Sequence, residues 1–289
     1  MECVPVCGLR VCRGVFEVNT VVAAGVVIDP SLDPGGVVAE AALITHGHAD
    51  HFSYAWLLRG RGARVYAPRH CVAFVENPLV NHMATIGWAG EPPDTVTLHF
   101  HGRGVRVDVL VEEGPVLELE GLRVEAYSTP GHTPGHHSYL VETGSGRVLV
   151  AGDVVYGEEY LRRYPLLYHT HTVQWMRSLE KLARLDPDAL IPGHGSPVEG
   201  AARARRLIEM NMDKVDEMMR LVEGLLGEEC IYFDEAIASA ARATGLSRSR
   251  RAYSVLSPTV RALLLALHSS GRASMELKDG VPCWLRAGR

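Results

Sequence analysis

Glutamine is almost missing from this sequence and lysine nearly so: Gln174 is the only glutamine, and three lysines stand against 26 arginines. Scarce thermolabile amides point toward a heat-adapted protein, although codon composition also favours arginine and the eight methionines are not few. Long apolar runs are absent too. The longest, Val21–Ile28, is broken by Gly25 and closed by Asp29 and Pro30, far short of the ~20 residues that span a bilayer. A membrane-spanning chain is excluded. The start of the chain sets Glu2 beside Met1 and scatters Arg10 and Arg13 among apolar residues, which is no secretory signal layout, so a cytoplasmic location is expected. Paired C-x-x-C motifs are also lacking. Cys3, Cys7 and Cys12 cluster while Cys71, Cys230 and Cys283 are scattered, which fits neither a secreted disulfide scaffold nor a structural zinc site. The six are expected to be small apolar side chains in or near strands, with a disulfide less improbable if the protein is heat-adapted.

What is present is an ordinary globular composition, 289 residues with 47% hydrophobic and 22% charged side chains, enough for one large domain or a main domain with an appendage. Charge is uneven. Residues 1–200 hold 15 Lys/Arg against 23 Asp/Glu, and residues 201–289 hold 14 against 11, so the first part is −8 and the second +3. Texture changes at the same point, which divides the chain into 1–200 and 201–289. Before residue 200, short apolar runs (Val21–Ile28, Ala41–Thr45, Arg64–Tyr66, Leu122–Tyr127, Val148–Ala151) alternate with Gly/Pro turns and with short helical patterns such as Val173–Leu185, an α/β texture rich in strands. After it, Ile208, Met212, Val215, Met219, Val222 and Leu226 mark one helix face. A second helix is expected over Asp234–Thr244, stopped by Gly245, and a third from Ser257 as N-cap with Pro258 in its first turn. Ala273–Leu277 and Val281–Arg286, joined at Lys278-Asp279-Gly280, read as a terminal hairpin, so the tail resembles a winged helix.

The densest chemical signal is His46-Gly47-His48-Ala49-Asp50-His51, directly after the apolar run Ala41–Ile44. Four ligand-capable side chains within six residues can converge on more than one metal ion, and desolvating them together brings no gain unless metal is bound. Three further positions share the setting. His132 lies between glycines in Pro130-Gly131-His132-Thr133-Pro134-Gly135-His136; Asp153 closes the run Val148–Gly152; His194 closes Leu190-Ile191-Pro192-Gly193. Three imidazoles leave an open position on a Zn²⁺-like ion, and a shared carboxylate and hydroxide can hold two metals close together.

These motifs, in this order, resemble the metallo-β-lactamase fold superfamily over roughly residues 15 to 200, and its glyoxalase II-like branch in particular. The resemblance implies an αββα sandwich with a site on one sandwich edge, to which the change of texture after residue 200 adds a smaller helical, winged-helix-like C-terminal domain. It implies that His46, His48 and His132 hold one metal, Asp50, His51 and His194 a second, and that Asp153 bridges them, with Asp50 and Asp153 as the catalytic carboxylates. The ions are expected to be zinc, with iron or manganese also compatible. A metal-bridging hydroxide would then attack a small carbonyl substrate, a thioester or a lactone, without a Ser or Cys nucleophile; Ser128 and Cys71 sit in no persuasive triad. Flavodiiron oxidoreductases carry glutamate in the place of His48, class B β-lactamases lack a carboxylate in the place of Asp153, and the β-CASP insertion has no counterpart between Asp153 and His194.

The runner-up is a metal-dependent endoribonuclease of the β-lactamase-like type, which combines a Pro-Gly-His-Gly motif with a similar tail. The basic run Arg248-Ser249-Arg250-Arg251, with Arg242 and Arg261, favours RNA, and the −8 catalytic part opposes it. An iron-dependent persulfide dioxygenase and a winged-helix regulator on a dead scaffold are further alternatives, the last hard to reconcile with seven intact ligands. Among weaker signals, His136 is a candidate donor behind the ligand rings. His169, Thr170 and His171, with Tyr156, Tyr164 and Tyr168, follow Asp153 where the family often lines its substrate pocket. Residues Asn77–Asp94 read as an irregular insertion that covers the cleft or packs at a subunit contact.

Overall fold

The computed structural model describes residues 3–33, 35–80, 84, 103–246 and 252–288. Two sheets form its centre. The first carries seven strands in chain order, β1 (Cys3–Val6), β2 (Leu9–Arg13), β3 (Asn19–Ala23), β4 (Val26–Ile28), β5 (Ala41–Leu43), β6 (Arg64–Pro68) and β7 (Val109–Val111). The second comprises β8 (Val116–Leu119), β9 (Leu122–Ser128), β10 (His137–Thr143), β11 (Gly146–Tyr156), β12 (Ala189–His194) and β13 (Val198–Glu199), in the spatial order β13-β12-β11-β10-β9-β8. Pairing is parallel from β4 to β7 and between β11 and β12.

Side-chain alternation builds the layers. Val26, Ile28 and Leu43 turn inward to meet Val124, Tyr139, Val148 and Ile191 of the facing sheet. Val27, Ala42 and Val65 turn outward under Phe52, Ala55, Leu58 and Val75, which lie on or beside helices α1 (Ala55–Gly60) and α2 (Val72–Glu76). The second sheet is covered by α3 (Glu158–Arg163), α4 (Thr172–Ala183) and α5 (Ala201–Gly224). This is the expected αββα order. Strands buried on both faces are apolar at every position, which is why Ala41–Leu43 reads as an unbroken run. Val21–Ile28 is not one strand, however. It folds back at Ala24 (φ 41°) and Gly25 (φ 80°), pairing Val21 with Ile28, because two successive left-handed residues match the twist of a tight hairpin.

The C-terminal region contains β14 (Ile231–Tyr232), α6 (Phe233–Ala243), α7 (Ala252–Ser269) and the hairpin β15 (Ala273–Lys278) and β16 (Val281–Arg286), with the three strands ordered β14-β16-β15. Helix α7 begins earlier than Ser257 and carries Pro258 inside it. A proline there costs about 3 kcal/mol, whereas the buried Leu256, Val260, Leu263, Leu264 and Leu267 contribute roughly 1.5–3 kcal/mol each; packing outweighs the local preference. One apolar cluster runs from Leu140 and Leu149 through Trp175 and Ile208 to Leu263 and Trp284, so the tail helices share a core with the second sheet.

The cysteines overturn the expectation of six free thiols. Strand register sets Cys3 opposite Cys12, and these two form a disulfide, as do Cys230 and Cys283. Cys7 and Cys71 remain free. Spacing in the chain says nothing about which residues a register brings together. Among the described residues no helix is long and apolar enough to cross a membrane. The basic run 248–251 and most of the 77–94 segment lie outside the described residues. Arg242 is exposed and donates to Ser239, and Arg261 stacks on Phe233 at 4.4 Å.

Candidate metal centre

All seven ligand candidates meet at one end of the sandwich. Donor atoms of His46, His48, His132 and Asp153 lie within 4.8 Å of one another, and those of Asp50, His51 and His194 form an adjoining group of the same span. Asp153 faces both groups, with an oxygen 3.5 Å from His132 Nε2, 3.2 Å from His51 Nε2 and 3.3 Å from His194 Nε2. All seven side chains are buried.

Local backbone explains the convergence. The loop after β5 is pinned by Asp29 at the end of β4, whose carboxylate accepts from Thr45 N (2.8 Å) and the Thr45 hydroxyl (2.7 Å). Gly47 lets this loop pass Phe74, since a Cβ there would sit 2.6 Å from it. The register of β11 against β12 shifts around Gly152 (φ 60°), a bulge that aims the following carboxylate into the site. Asn19 of β3 donates to the carbonyls of Pro192 (2.9 Å) and Gly195 (2.7 Å), clamping the turn that presents His194.

Hydrogen bonds behind the rings fix their tautomers. His51 Nδ1 donates to Asp29 Oδ2 at 2.8 Å, His132 Nδ1 to the Tyr168 carbonyl at 3.0 Å, and His194 Nδ1 to the Phe16 carbonyl at 3.0 Å. The Thr45 hydroxyl has given its proton to Asp29, so it accepts from His46 Nδ1 at 3.0 Å. In the neutral rings each Nε2 therefore turns a lone pair inward, toward other lone pairs and toward the Asp153 carboxylate. His48 Nδ1 lies 3.0 Å from His46 Nε2 and 2.9 Å from His132 Nε2; neighbouring ligands of a tetrahedral zinc-like ion stand about 3.3 Å apart. His51 Nε2 and Asp153 Oδ1 are buried without a hydrogen bond although they face each other. So many imidazole nitrogens and carboxylate oxygens crowded into one buried pocket are costly unless cations lie among them, so the donor set fits divalent metal ions.

The electrostatics agree. Burial depresses His46 and His48 well below the ordinary imidazole range and takes His132 to about 4. For His51 and His194 burial acts in the same direction, but the Asp153 carboxylate overcomes it and raises both. Burial would raise Asp153, yet His194, His51 and His132 hold it well below the carboxylate range. The pocket thus keeps a negative charge in place and draws cations to it.

Other histidines and tyrosines fall into distinct roles. His136 is buried, stacks on His46 at 5.1 Å, and hydrogen-bonds Thr129. His169 is buried against Trp175, and His171 caps α4 by accepting from Gln174 N. Tyr164 lies tilted against Tyr160 at 5.2 Å, and His268 sits far along the chain beside Trp284. Tyr156 places its hydroxyl 3.3 Å from His132 Nδ1 and 3.4 Å from Asp153 Oδ2, and Tyr168 lies 5.0 Å from the His48 ring. The sequence reading missed Asp29 and Asn19. Asp29 ends an apolar strand as Asp153 does, so the same signal could have found it; nothing marks Asn19 or the Phe16 and Tyr168 carbonyls.

Comparison with known proteins follows the same outline. A family model described as the metallo-beta-lactamase superfamily matches residues 39–194. The chain is 30% identical over 197 residues to the probable metallo-hydrolase YflN of Bacillus subtilis, covering 62% of this chain and 73% of that one. It is 27% identical to a hydroxyacylglutathione hydrolase of Cupriavidus taiwanensis, covering 83% and 79%. The fold is shared with a metallo-beta-lactamase family protein of Thermus thermophilus, with a TM-score of 0.70 at 22% identity over 97% of this chain and 99% of that chain. At that coverage the likeness takes in most of the C-terminal region as well. The chain belongs to the metallo-beta-lactamase superfamily and is a metal-dependent hydrolase.

Proposed function

We propose that the protein is a binuclear hydrolase of a small carbonyl compound, a thioester or a lactone. His46, His48 and His132 would hold the first ion, Asp50, His51 and His194 the second, and Asp153 would serve both. The observation that carries this reading is the position of Asp153, whose oxygens face Nε2 atoms of both groups at 3.2–3.5 Å. Two divalent ions held there, zinc being the best match to the donors with iron or manganese compatible, would acidify water and polarise a carbonyl.

The chain's own groups supply the rest. Asp50 and Asp153 are the carboxylates positioned to take the proton that an attacking water loses. Tyr156 keeps its phenol protonated, since burial and then Asp153 raise it well above the ordinary range, so it can donate a hydrogen bond beside the site. Burial likewise pushes up the Cys71 thiol, which removes it as a nucleophile. The likeness to a hydroxyacylglutathione hydrolase supports a thioester substrate.

The test is metal analysis of purified protein together with thioester, lactone, phosphodiester and RNA substrates. Two ions per chain and turnover of a thioester or lactone are expected. A stoichiometry that stays at one under metal-replete conditions, or cleavage of RNA without any carbonyl substrate, would overturn the reading.

A further inference from the structure

The segment 164–171 joins the metal centre to the C-terminal helices. On the tail side, Leu167 N donates to Met218 Sδ of α5 at 3.2 Å. The Thr259 hydroxyl of α7 lies between Leu167 O and His169 N, 3.4 Å from each. His169, fully buried, donates from Nδ1 to Leu167 O at 3.0 Å and accepts the Thr172 hydroxyl at 2.8 Å. On the site side, Thr170 N and His171 N donate to Gly131 O at 2.9 and 3.0 Å, and the Tyr168 carbonyl receives His132 Nδ1.

Tyr168 is thus fixed by main-chain and neighbour contacts on both sides, with buried residues before and after it. Its ring stands edge-on to His48 at 5.0 Å and to His132 at 5.2 Å, and is half-buried where those two rings are closed from solvent. An aromatic ring held this firmly beside two ligand rings offers a rigid apolar surface to whatever reaches the first metal position.

We propose that Tyr168 is a specificity-determining wall of the substrate site, that it selects carbonyl substrates with an apolar or aromatic acyl part, and that Thr259 is the positioning residue through which the tail holds it. This rests on the hydrolase reading above and adds the acyl preference and the role of the tail. Because the hydrogen bond that orients His132 goes to the Tyr168 carbonyl, changing the side chain removes a ring contact and leaves that bond in place.

The experiment uses the metal-loaded full chain and two thiol probes that share a metal-binding head, mercaptoacetate and 2-mercapto-3-phenylpropionate, measured by calorimetry. In Tyr168→Ala the benzyl probe is expected to weaken about tenfold while mercaptoacetate changes less than about twofold, as loss of an aromatic contact implies. Metal stoichiometry should not change. Tyr168→Phe should keep the wild-type ratio of the two constants, and Thr259→Val should shift the ratio in the direction of Tyr168→Ala by a smaller factor. An unchanged or reversed ratio in Tyr168→Ala, or equal weakening of both probes, overturns the wall. An unchanged ratio in Thr259→Val overturns the role of the tail, and circular dichroism identifies any variant that failed to fold. Since probe binding needs no turnover, a wild type that hydrolyses no thioester or lactone yet shows the Tyr168-dependent ratio would sink the hydrolase substrate reading and leave the wall standing.

Discussion

Asp29 Oδ2 and His51 Nδ1 lie 2.8 Å apart, and both side chains are buried. The same carboxylate accepts two hydrogen bonds from Thr45, so one residue at the end of β4 sets both the loop that starts the ligand cluster and the tautomer of a ligand within it.

Replacing Asp29 with Asn tests that double duty. If the amide oxygen keeps the bond from Thr45 N, its NH₂ group confronts the Thr45 hydroxyl and His51 Nδ1. To accept from it, His51 must move its proton to Nε2, and the nitrogen aimed at the site ceases to be a ligand. The second metal should bind about 10–100-fold more weakly, while the first, proposed to rest on His46, His48 and His132, should change far less. Competition against a chromophoric chelator resolves the two affinities; equal affinities in variant and wild type would contradict the assignment.

Proton release separates the two positions in another way. His51 and His194 are raised above the ordinary imidazole value because Asp153, joined by Asp29 at His51, overcomes their burial, so their metal-free rings keep their protons to higher pH than an ordinary imidazole and a cation must displace them there. His46, His48 and His132 are depressed and already neutral there. Filling the second position should therefore release more protons than filling the first, and its affinity should fall more steeply as pH drops. Calorimetry in buffers of different ionisation enthalpy measures both; identical release for the two ions would refute this division.

The candidate ligands were more legible in the sequence than the residues that support them. His46, His48, Asp50, His51, His132, Asp153 and His194 stand out because each follows an apolar strand or a glycine turn, and both features survive in the one-dimensional pattern. Asn19 acts on carbonyls more than 170 positions away, and the Phe16 and Tyr168 carbonyls act through main chain that every residue possesses. Contacts of that kind depend on how the two sheets face each other. The disulfides were hidden because strand pairing, not chain spacing, brings Cys3 opposite Cys12 and Cys230 near Cys283, and Pro258 misled because a local helix-start preference was weaker than the apolar face around it.

The two disulfides should matter to stability and not to metal. Closing the 53-residue separation between Cys230 and Cys283 is worth about 4 kcal/mol in the chain-entropy model, and such bridges commonly deliver less. The double replacement Cys230→Ser with Cys283→Ser should lower the urea midpoint clearly, and a reducing agent should lower the wild-type midpoint at least as far because it also opens Cys3–Cys12. Neither should alter metal stoichiometry at low denaturant. A midpoint insensitive to reductant would show that the bridges do not form or do not stabilise.

Gly193 offers the sharpest steric test of the shared carboxylate. A Cβ on this residue would fall 1.9 Å from Asp153 Oδ1 and 2.8 Å from the Gly152 carbonyl carbon, separations that no rotamer change relieves entirely. Gly193→Ala should therefore push Asp153 off its position between the two groups, and metal analysis should show both ions disturbed. Asp153→Ala should give the same pattern, whereas His194→Ala should mainly empty the second position because it removes a ligand from one group only. In the double variant Gly193→Ala with Asp153→Ala, the carboxylate clash is gone and only the backbone contact remains, so its further loss of stability should be smaller than the sum of the single effects. If Gly193→Ala lost one ion alone, or if Asp153→Ala and His194→Ala lost metal identically, Asp153 would belong to one position and the bridge would have to be abandoned.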